Sequence, residues 1–212
     1  MTGEGSSTAE RSVLLRTDGG SSPTPSLHFY IAPITHQQAR KHVECWHYSQ
    51  RMPTGKNICF GVFHEAGLYA VIVYGIGVNP YQASSLGVSS VLEIKRMCRS
   101  EPREDYPLSR FIRLTLRKLN PIDAVVAFAD PEQGHEGTVY KAAGFAHEGM
   151  TAAEWHLVGE DGVQRHRRYA YRMARRNGLT VSQARDTLKM TRRQSAPKHR
   201  WVLRLPAKRR GI

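Results

Sequence analysis

Ala124-Val-Val-Ala-Phe-Ala129, closed by Asp130-Pro131 and followed after a glycine-bearing loop by Tyr140-Lys-Ala-Ala-Gly-Phe145, decides how this chain is read. A short run without a polar member is the pattern of a strand covered on both faces. Asp130-Pro131 ends it, since proline has no N–H for a ladder. Residues 136–143 read as a short helix, and Gly144 suits its C-cap. A buried strand running into a short helix implies a sheet that continues on either side, with helices on both faces.

Upstream, Pro107 opens a helix over residues 107–119 at its favoured early position. Leu108, Ile112 and Leu116 recur at helical spacing with Phe111, Thr115 and Leu119 beside them, and Arg110, Arg113 and Arg117 fall outside that stripe. Residues 91–98 alternate and read as a strand. Residues 58–63 and 68–78 form a hairpin around His64-Glu-Ala-Gly67, followed by a polar loop over 79–90. Thr35 with Gln38 has capping-box spacing, so a helix is expected over 35–45 after a strand over 27–34. A loop over 46–57 follows. Downstream, residues 154–158 and a strand around 167–173 flank the turn Gly159-Glu-Asp-Gly162. A basic helix over 180–189 and a last strand over 198–205, ended by Pro206, complete the chain. Residues 1–26, rich in Ser, Thr and Gly, read as disordered.

With 212 residues, 40% of them hydrophobic, the chain can build one α/β domain with a core. No stretch approaches the ~20 apolar residues of a membrane span, and the first residues lack the order of a signal peptide. Cys45, Cys59 and Cys98 are an odd, scattered set, pointing to a reducing cytoplasm rather than a disulfide framework. Net charge is +13, and its excess lies late: residues 165–212 hold 16 Lys and Arg against one acid, Asp186, while the first 164 residues sum to −2. Such a segment gains by releasing counterions from a polyanion, so nucleic acid is the expected partner. A membrane surface fits less well, because the segment has no broad apolar face.

The order of elements resembles that of the GNAT acyltransferases, where a buried strand leads to a short helix ending in a tyrosine followed by Gly-Phe. Gly144 lets the helix stop, Phe145 re-enters the core, and Tyr140 is expected to face the cleft between splayed strands. Six segments are similar to the phage Mom family: His47-Tyr-Ser-Gln-Arg-Met-Pro53, Cys59-Phe-Gly-Val-Phe63, Leu92-Glu-Ile-Lys-Arg96, Tyr106-Pro-Leu-Ser-Arg110, Phe128-Ala-Asp-Pro131 and Tyr140 to Phe145. The resemblance implies a GNAT-like mixed, splayed central sheet flanked by helices, with a basic C-terminal extension. The expected division is a tail over 1–26, a catalytic domain over 27–178, and a basic segment over 179–212 packing on that domain as helix plus strand. The implied activity, in the cytoplasm of a bacterial host cell, is conversion of adenine in duplex DNA to N6-carbamoylmethyladenine, which protects phage DNA from host restriction.

Adenine's exocyclic amine is a poor nucleophile, because its lone pair is delocalised into the ring. Acylating it takes an acceptor near that nitrogen and donors for the oxyanion. Asp130, just past the buried strand, is a candidate acceptor; it would equally cap the turn it begins. Tyr140 is a candidate general acid by the resemblance, or a packed aromatic. His47 and Tyr48, where a helix meets a loop, would stack on or bond to a flipped adenine. Arg96 would hold a donor oxygen or pair with Glu93 or Asp130, since a buried unpaired charge is costly. Ser109 and Arg110, at a helix start, would bind an anion or a substrate carbonyl. His42, Cys45 and His47 do not form a zinc pattern, and no metal is expected. For nucleic acid the candidates are Arg165, Arg167, Arg168, Arg172, Arg175, Arg176, Arg192, Arg193, Lys198 and Arg200, with Tyr169 and Trp201 as interleaved aromatics; a solvated face is the alternative for each.

The donor stays open. GNAT enzymes bind pyrophosphate with a glycine-rich turn after the central strand, but Cys98-Arg-Ser-Glu-Pro-Arg-Glu-Asp-Tyr-Pro107 has no glycine, two prolines and three acids, which puts ordinary coenzyme A binding in question. Acetyl-CoA also supplies no nitrogen for a terminal amide. Glycyl-tRNA would, and tRNA would then be a second polyanionic partner. The runner-up function is a GNAT N-acetyltransferase using acetyl-CoA on a protein or small-molecule amine; a third is a non-catalytic nucleic-acid-binding module on the same scaffold.

Overall fold

A computed structural model describes residues 29–64, 67–100, 106–119, 121–166 and 168–206; the tail expected over 1–26 lies outside them. The first half holds β1 (Tyr30–Pro33), α1 (His36–Trp46), the hairpin β2 (Asn57–His64) and β3 (Gly67–Gly75), and a short α2 (Gln82–Ser85) inside the stretch read as a loop. β4 (Val91–Arg99), α3 (Leu108–Leu116), β5 (Ala124–Ala129) and α4 (Thr138–Ala142) follow. Thr35 caps α1 as its spacing predicted: its Oγ1 accepts from the Gln38 amide at 3.2 Å, and the Gln38 side chain accepts from the Thr35 amide at 2.9 Å.

Later come β6 (Ala146–Met150), β7 (Trp155–Val158), β8 (Gln164–His166), α5 (Arg168–Asn177), α6 (Val181–Thr187), β9 (Thr191–Gln194) and β10 (His199–Arg204). Seven strands form one sheet in the order β1-β2-β3-β4-β5-β10-β6. Each neighbouring pair is antiparallel except β4 and β5, which run parallel. α3 and α4 cover one face, where Phe111, Ile112 and Tyr140 join Ile72, Tyr74, Ile94 and Val125 in the main core. α1 covers the other, packing Ala39 and Val43 on Val71, Val73 and Cys98.

The splay has a visible cause. β4 pairs with β3 as Tyr74 with Ile94 and Val73 with Arg96, leaving Lys95 as an extra residue. Such a bulge bends its strand and adds twist. It also switches faces: Ile94 belongs to the core under α3 and Cys98, four residues on, to the core under α1, although a regular strand keeps positions four apart on one face. The parallel ladder stops at the same place, since residues 91–94 pair with 124–127 and go no further. Beyond that point β4 and β5 diverge, and a gap opens through the sheet.

One expectation is corrected here. A strand was expected around 167–173, but residues 168–173 are helical: α5 starts at Arg168, with Ala170 and Ala174, four apart, both buried and the arginines outside. That is helical period, and the small alanines let α5 pack on α6. Of the basic segment over 179–212, the expected helix and last strand are present as α6 and β10. β7, β8 and β9 form a second, three-stranded sheet, inserted with α5 and α6 between β6 and β10, and β10 then returns to the main sheet between β5 and the edge strand β6. Among the described residues no helix is long and apolar enough to cross a membrane.

Candidate active site

Side chains from opposite faces of the sheet lie within electrostatic range of one another near the end of the β4–β5 ladder. Tyr140 rises from α4 on one face, and its hydroxyl is within electrostatic reach of Tyr48 and Glu93. Tyr48 follows α1, which packs on the other face. Glu93 stands across from Gly75 on β3, on the side shared with Val73 and α1.

Burial pushes the Tyr140 hydroxyl well above its ordinary pKa, with Tyr48 and Glu93 adding to the shift. It remains a proton donor, and no hydrogen bond joins it to another described residue. Burial likewise raises the Glu93 carboxyl, against the opposing pull of Lys95, Arg96 and Lys198. Glu93 is the residue that sequence reasoning passed over except as a partner for Arg96; a lone acid within an alternating strand gave no signal, and it stands one residue before the end of the β4–β5 ladder, paired with Val126.

His47 is buried, and its pKa is lowered to about 4, first by burial and then by Arg96 and His135. The ring is neutral near pH 7. Its Nδ1 accepts from the Ser49 amide at 3.1 Å. In that neutral tautomer the proton sits on Nε2, which leaves an N–H to donate. The half-exposed Tyr48 ring lies 4.3 Å from the His47 ring and 5.8 Å edge-on from that of His135, a second residue missed in the sequence.

Arg96 donates to the Arg51 carbonyl at 3.0 Å and to the Lys95 carbonyl at 2.6 Å. It fixes the loop carrying His47 and Tyr48, and it does not pair with Asp130. Asp130 performs the capping role weighed for it: Oδ1 accepts from the Glu132 amide at 3.1 Å at the start of a 3-10 turn, Pro131–Gln133, while Oδ2 meets Lys198 Nζ at 3.0 Å. Both of its oxygens are engaged. Lys198 in turn lies within reach of Glu93, and the His135 amide donates to the Asp130 carbonyl at 3.1 Å. Asp130 is thus linked to Tyr140 through the ion pair with Lys198 and the electrostatic reach of Lys198 to Glu93 and of Glu93 to Tyr140.

Ser109 and Arg110 lie on the first turn of α3. The Arg110 guanidinium sits over the Tyr106 ring at 5.9 Å, and among the described residues no hydrogen bond or ion pair ties either residue to the gap. Residues 101–105 of the glycine-free turn are outside the described part. Burial raises the Cys59 thiol to about 11 and the Cys98 thiol to about 12, so neither is a thiolate nucleophile near neutrality. Among the described residues no three His, Cys, Asp or Glu side chains are placed to share a metal ion.

The basic candidates divide. Arg172, Arg175 and Arg176 on α5 and Arg192 and Arg193 on β9 are exposed, as is Arg168; Arg167 lies outside the described residues. Arg165 is paired with Asp161, and Arg200 with Glu148 at 3.7 Å, where Arg204 also binds. Trp201 does not fit the stacking role expected of it. Its ring is buried in the main core, 5.1 Å from His147 and close against Gly137.

Solved structures with a similar backbone include the ribosomal-protein-S18-alanine N-acetyltransferase of Escherichia coli, at 8% identity and TM-score 0.49, covering 87% of this chain and 98% of that one. An acetyltransferase of Bacillus subtilis in complex with CoA has 12% identity and TM-score 0.45, covering 85% and 100%. The spermidine N-acetyltransferase of Vibrio cholerae in complex with CoA and spermine has 11% identity and TM-score 0.44, covering 83% and 95%. No curated protein sequence matches the chain. The model of the Mom protein family does match, over residues 28–211, nearly the whole of the chain, and this protein belongs to that family.

Proposed function

We propose that this acyltransferase-type enzyme modifies adenine in double-stranded DNA, giving N6-carbamoylmethyladenine, at the gap between β4 and β5. The observation that carries the reading is the approach of Tyr140, a protonated donor, to Glu93, a carboxyl of raised basicity, from opposite faces of the sheet. The target amine must leave the base stack to reach a gap of this kind, as in other enzymes that do chemistry on a base. Tyr48, flanked by His47 and His135, offers the extruded adenine a ring surface. As N6 attacks the acyl carbon, Glu93 takes its proton, the Nε2–H of His47 donates to the forming oxyanion, and Tyr140 protonates the leaving oxygen or sulfur. Asp130 and Arg96 position their surroundings rather than react.

Both candidate donors, glycyl-tRNA and acetyl-CoA, carry phosphates. The first-turn amides of Leu108 and Ser109, which the helix itself leaves unpaired, are where this chain would hold one, with Arg110 beside them. Acetyl-CoA leaves the added group without nitrogen. With glycyl-tRNA, N6 displaces the tRNA hydroxyl and forms N6-glycyladenine. The glycyl amine then attacks C6 through a five-membered spiro intermediate, the C6–N6 bond breaks, and the former N6 becomes the terminal amide. The product balances without an oxidant or a second donor.

The test combines purified protein, duplex DNA and glycyl-tRNA carrying 15N-glycine. Label on the ring-bound nitrogen of modified adenine is expected, and its loss in Tyr140→Phe and Glu93→Gln. Modified adenine without label excludes the glycyl route. Acetylation of added amines from acetyl-CoA, with DNA unchanged, overturns the DNA reading in favour of an ordinary N-acetyltransferase.

A further inference from the structure

A cavity of about 250 Å3 opens on the inserted body, lined by Trp155, His156, Leu157, Tyr171, Arg185 and Arg192, none of them a residue of the β4–β5 gap. β7 alternates Trp155 and Leu157 onto one face of the small sheet, and Arg192 stands across from Leu157 in the antiparallel ladder. α5 and α6 bring Tyr171 and Arg185 to it. Leu157 is buried, whereas Trp155 and Tyr171 are 54% and 57% exposed. Two large rings from different elements thus flank one opening and are left half in water. The Nε of Arg185 is closed off from solvent and has no hydrogen-bond acceptor. A buried guanidinium N–H in that state is unfavourable unless something supplies an acceptor. Among the described residues neither Arg185 nor Arg192 makes an ion pair.

Flat apolar rings beside unpaired guanidinium groups suit one kind of ligand, a planar heterocycle joined to an anion. The rings take the base by stacking and the arginines take phosphate. The volume decides the size. It falls below the roughly 300–1,000 Å3 of sites for drug-sized ligands, so a single base fits and a coenzyme does not. A paired base is already stacked between its neighbours and offers no free face. We propose that this cavity binds one unpaired nucleotide of a single-stranded nucleic acid, its base against Trp155 and Tyr171 and its phosphate on Arg185 and Arg192. The proposal rests on the nucleic-acid reading above but concerns a separate site. Opened DNA and the single-stranded end of an RNA present the same chemistry.

Fluorescence anisotropy on the full chain tests it, with labelled oligothymidylate, oligouridylate and a mixed-sequence duplex as probes. Trp155→Ala and Tyr171→Ala are each expected to weaken single-strand binding by about five- to a hundredfold while leaving duplex affinity within about twofold. Trp155→Phe keeps a ring and should restore most of the loss. Arg175→Gln, on α5 outside the cavity, should weaken single strand and duplex alike. Preference for oligothymidylate or for oligouridylate identifies the source, and either supports the site. Equal losses on duplex and single strand overturn it, as does an unchanged single-strand affinity in Trp155→Ala at unaltered melting temperature. If Trp155→Ala lowers the melting temperature, Arg185→Gln carries the test: selective loss of single-strand binding supports the site, and no loss overturns it. A wild-type chain that binds no nucleic acid overturns this proposal and the nucleic-acid reading together; wild-type binding with indifferent cavity variants overturns this proposal alone.

Discussion

At Gly137 the backbone takes φ of +85°, and a Cβ there would stand 2.0 Å from the indole nitrogen of Trp201. The chain needs that residue both to turn and to let the tryptophan close over the start of α4, the helix that carries Tyr140. Gly137→Ala should cost about 2–4 kcal/mol, from positive φ and overpacking together, and lower the urea midpoint accordingly; an unchanged midpoint would mean that Trp201 is not packed there. His42 and His47 give a second test. Burial holds both near pKa 4 instead of 6.5. The unfolded chain takes up protons at 6.5 and the folded chain only near 4, so their contribution is complete above pH 6.5 and is lost as pH falls through that window, by about 2 kcal/mol per ring. Urea titrations on either side of the window should show the drop, with a smaller one in His42→Gln; a flat profile would contradict the burial of both rings. At this scale the sequence revealed residue types but not partners. Tyr140, His47 and Tyr48 stood out as chemistry-bearing groups near strand and helix ends. Glu93 and His135 did not, because their places depend on which strand pairs beside β4 and on a loop crossing. Trp201 misled because an aromatic among basic residues carries no mark of which way it faces.

Among the elements, β5 was legible because its run is wholly apolar, and α1 because its capping box is local. β6 was not, because Ala146-His-Glu-Gly-Met150 is an exposed edge strand without alternation. α5 was mistaken for a strand because its two buried alanines contribute little hydrophobic signal among so many arginines. The bulge at Lys95 is the element on which the site depends, and deleting it gives a clear expectation. Tyr74 with Ile94 and Val73 with Arg96 already sit on correct faces, so removing the extra residue makes the ladder regular without turning any side chain over. The variant should fold, with near-ultraviolet circular dichroism close to wild type, and lose DNA modification as β4 and β5 stay closed. Full activity in a folded variant would show that the gap does not depend on the bulge.

For the whole molecule, charge asymmetry proved more informative than its position suggested. The late basic excess was read as a C-terminal segment of helix plus strand over 179–212; residues 155–194 carry ten Lys and Arg against three acids, and their elements lie between two neighbouring strands of the main sheet. If those elements hold a phosphate backbone, each of Arg172, Arg176 and Arg193 changed to Gln should reduce the slope of log affinity against log salt by about 0.9. A triple variant with the wild-type slope would place the nucleic acid elsewhere. The account as a whole is tested most directly by nucleoside mass spectrometry of DNA from cells making this protein or its Tyr140→Phe variant. It predicts a deoxyadenosine derivative heavier by one C2H3NO unit with the wild type and its near absence with the variant; DNA without that nucleoside, or equal amounts of it in both, would contradict it.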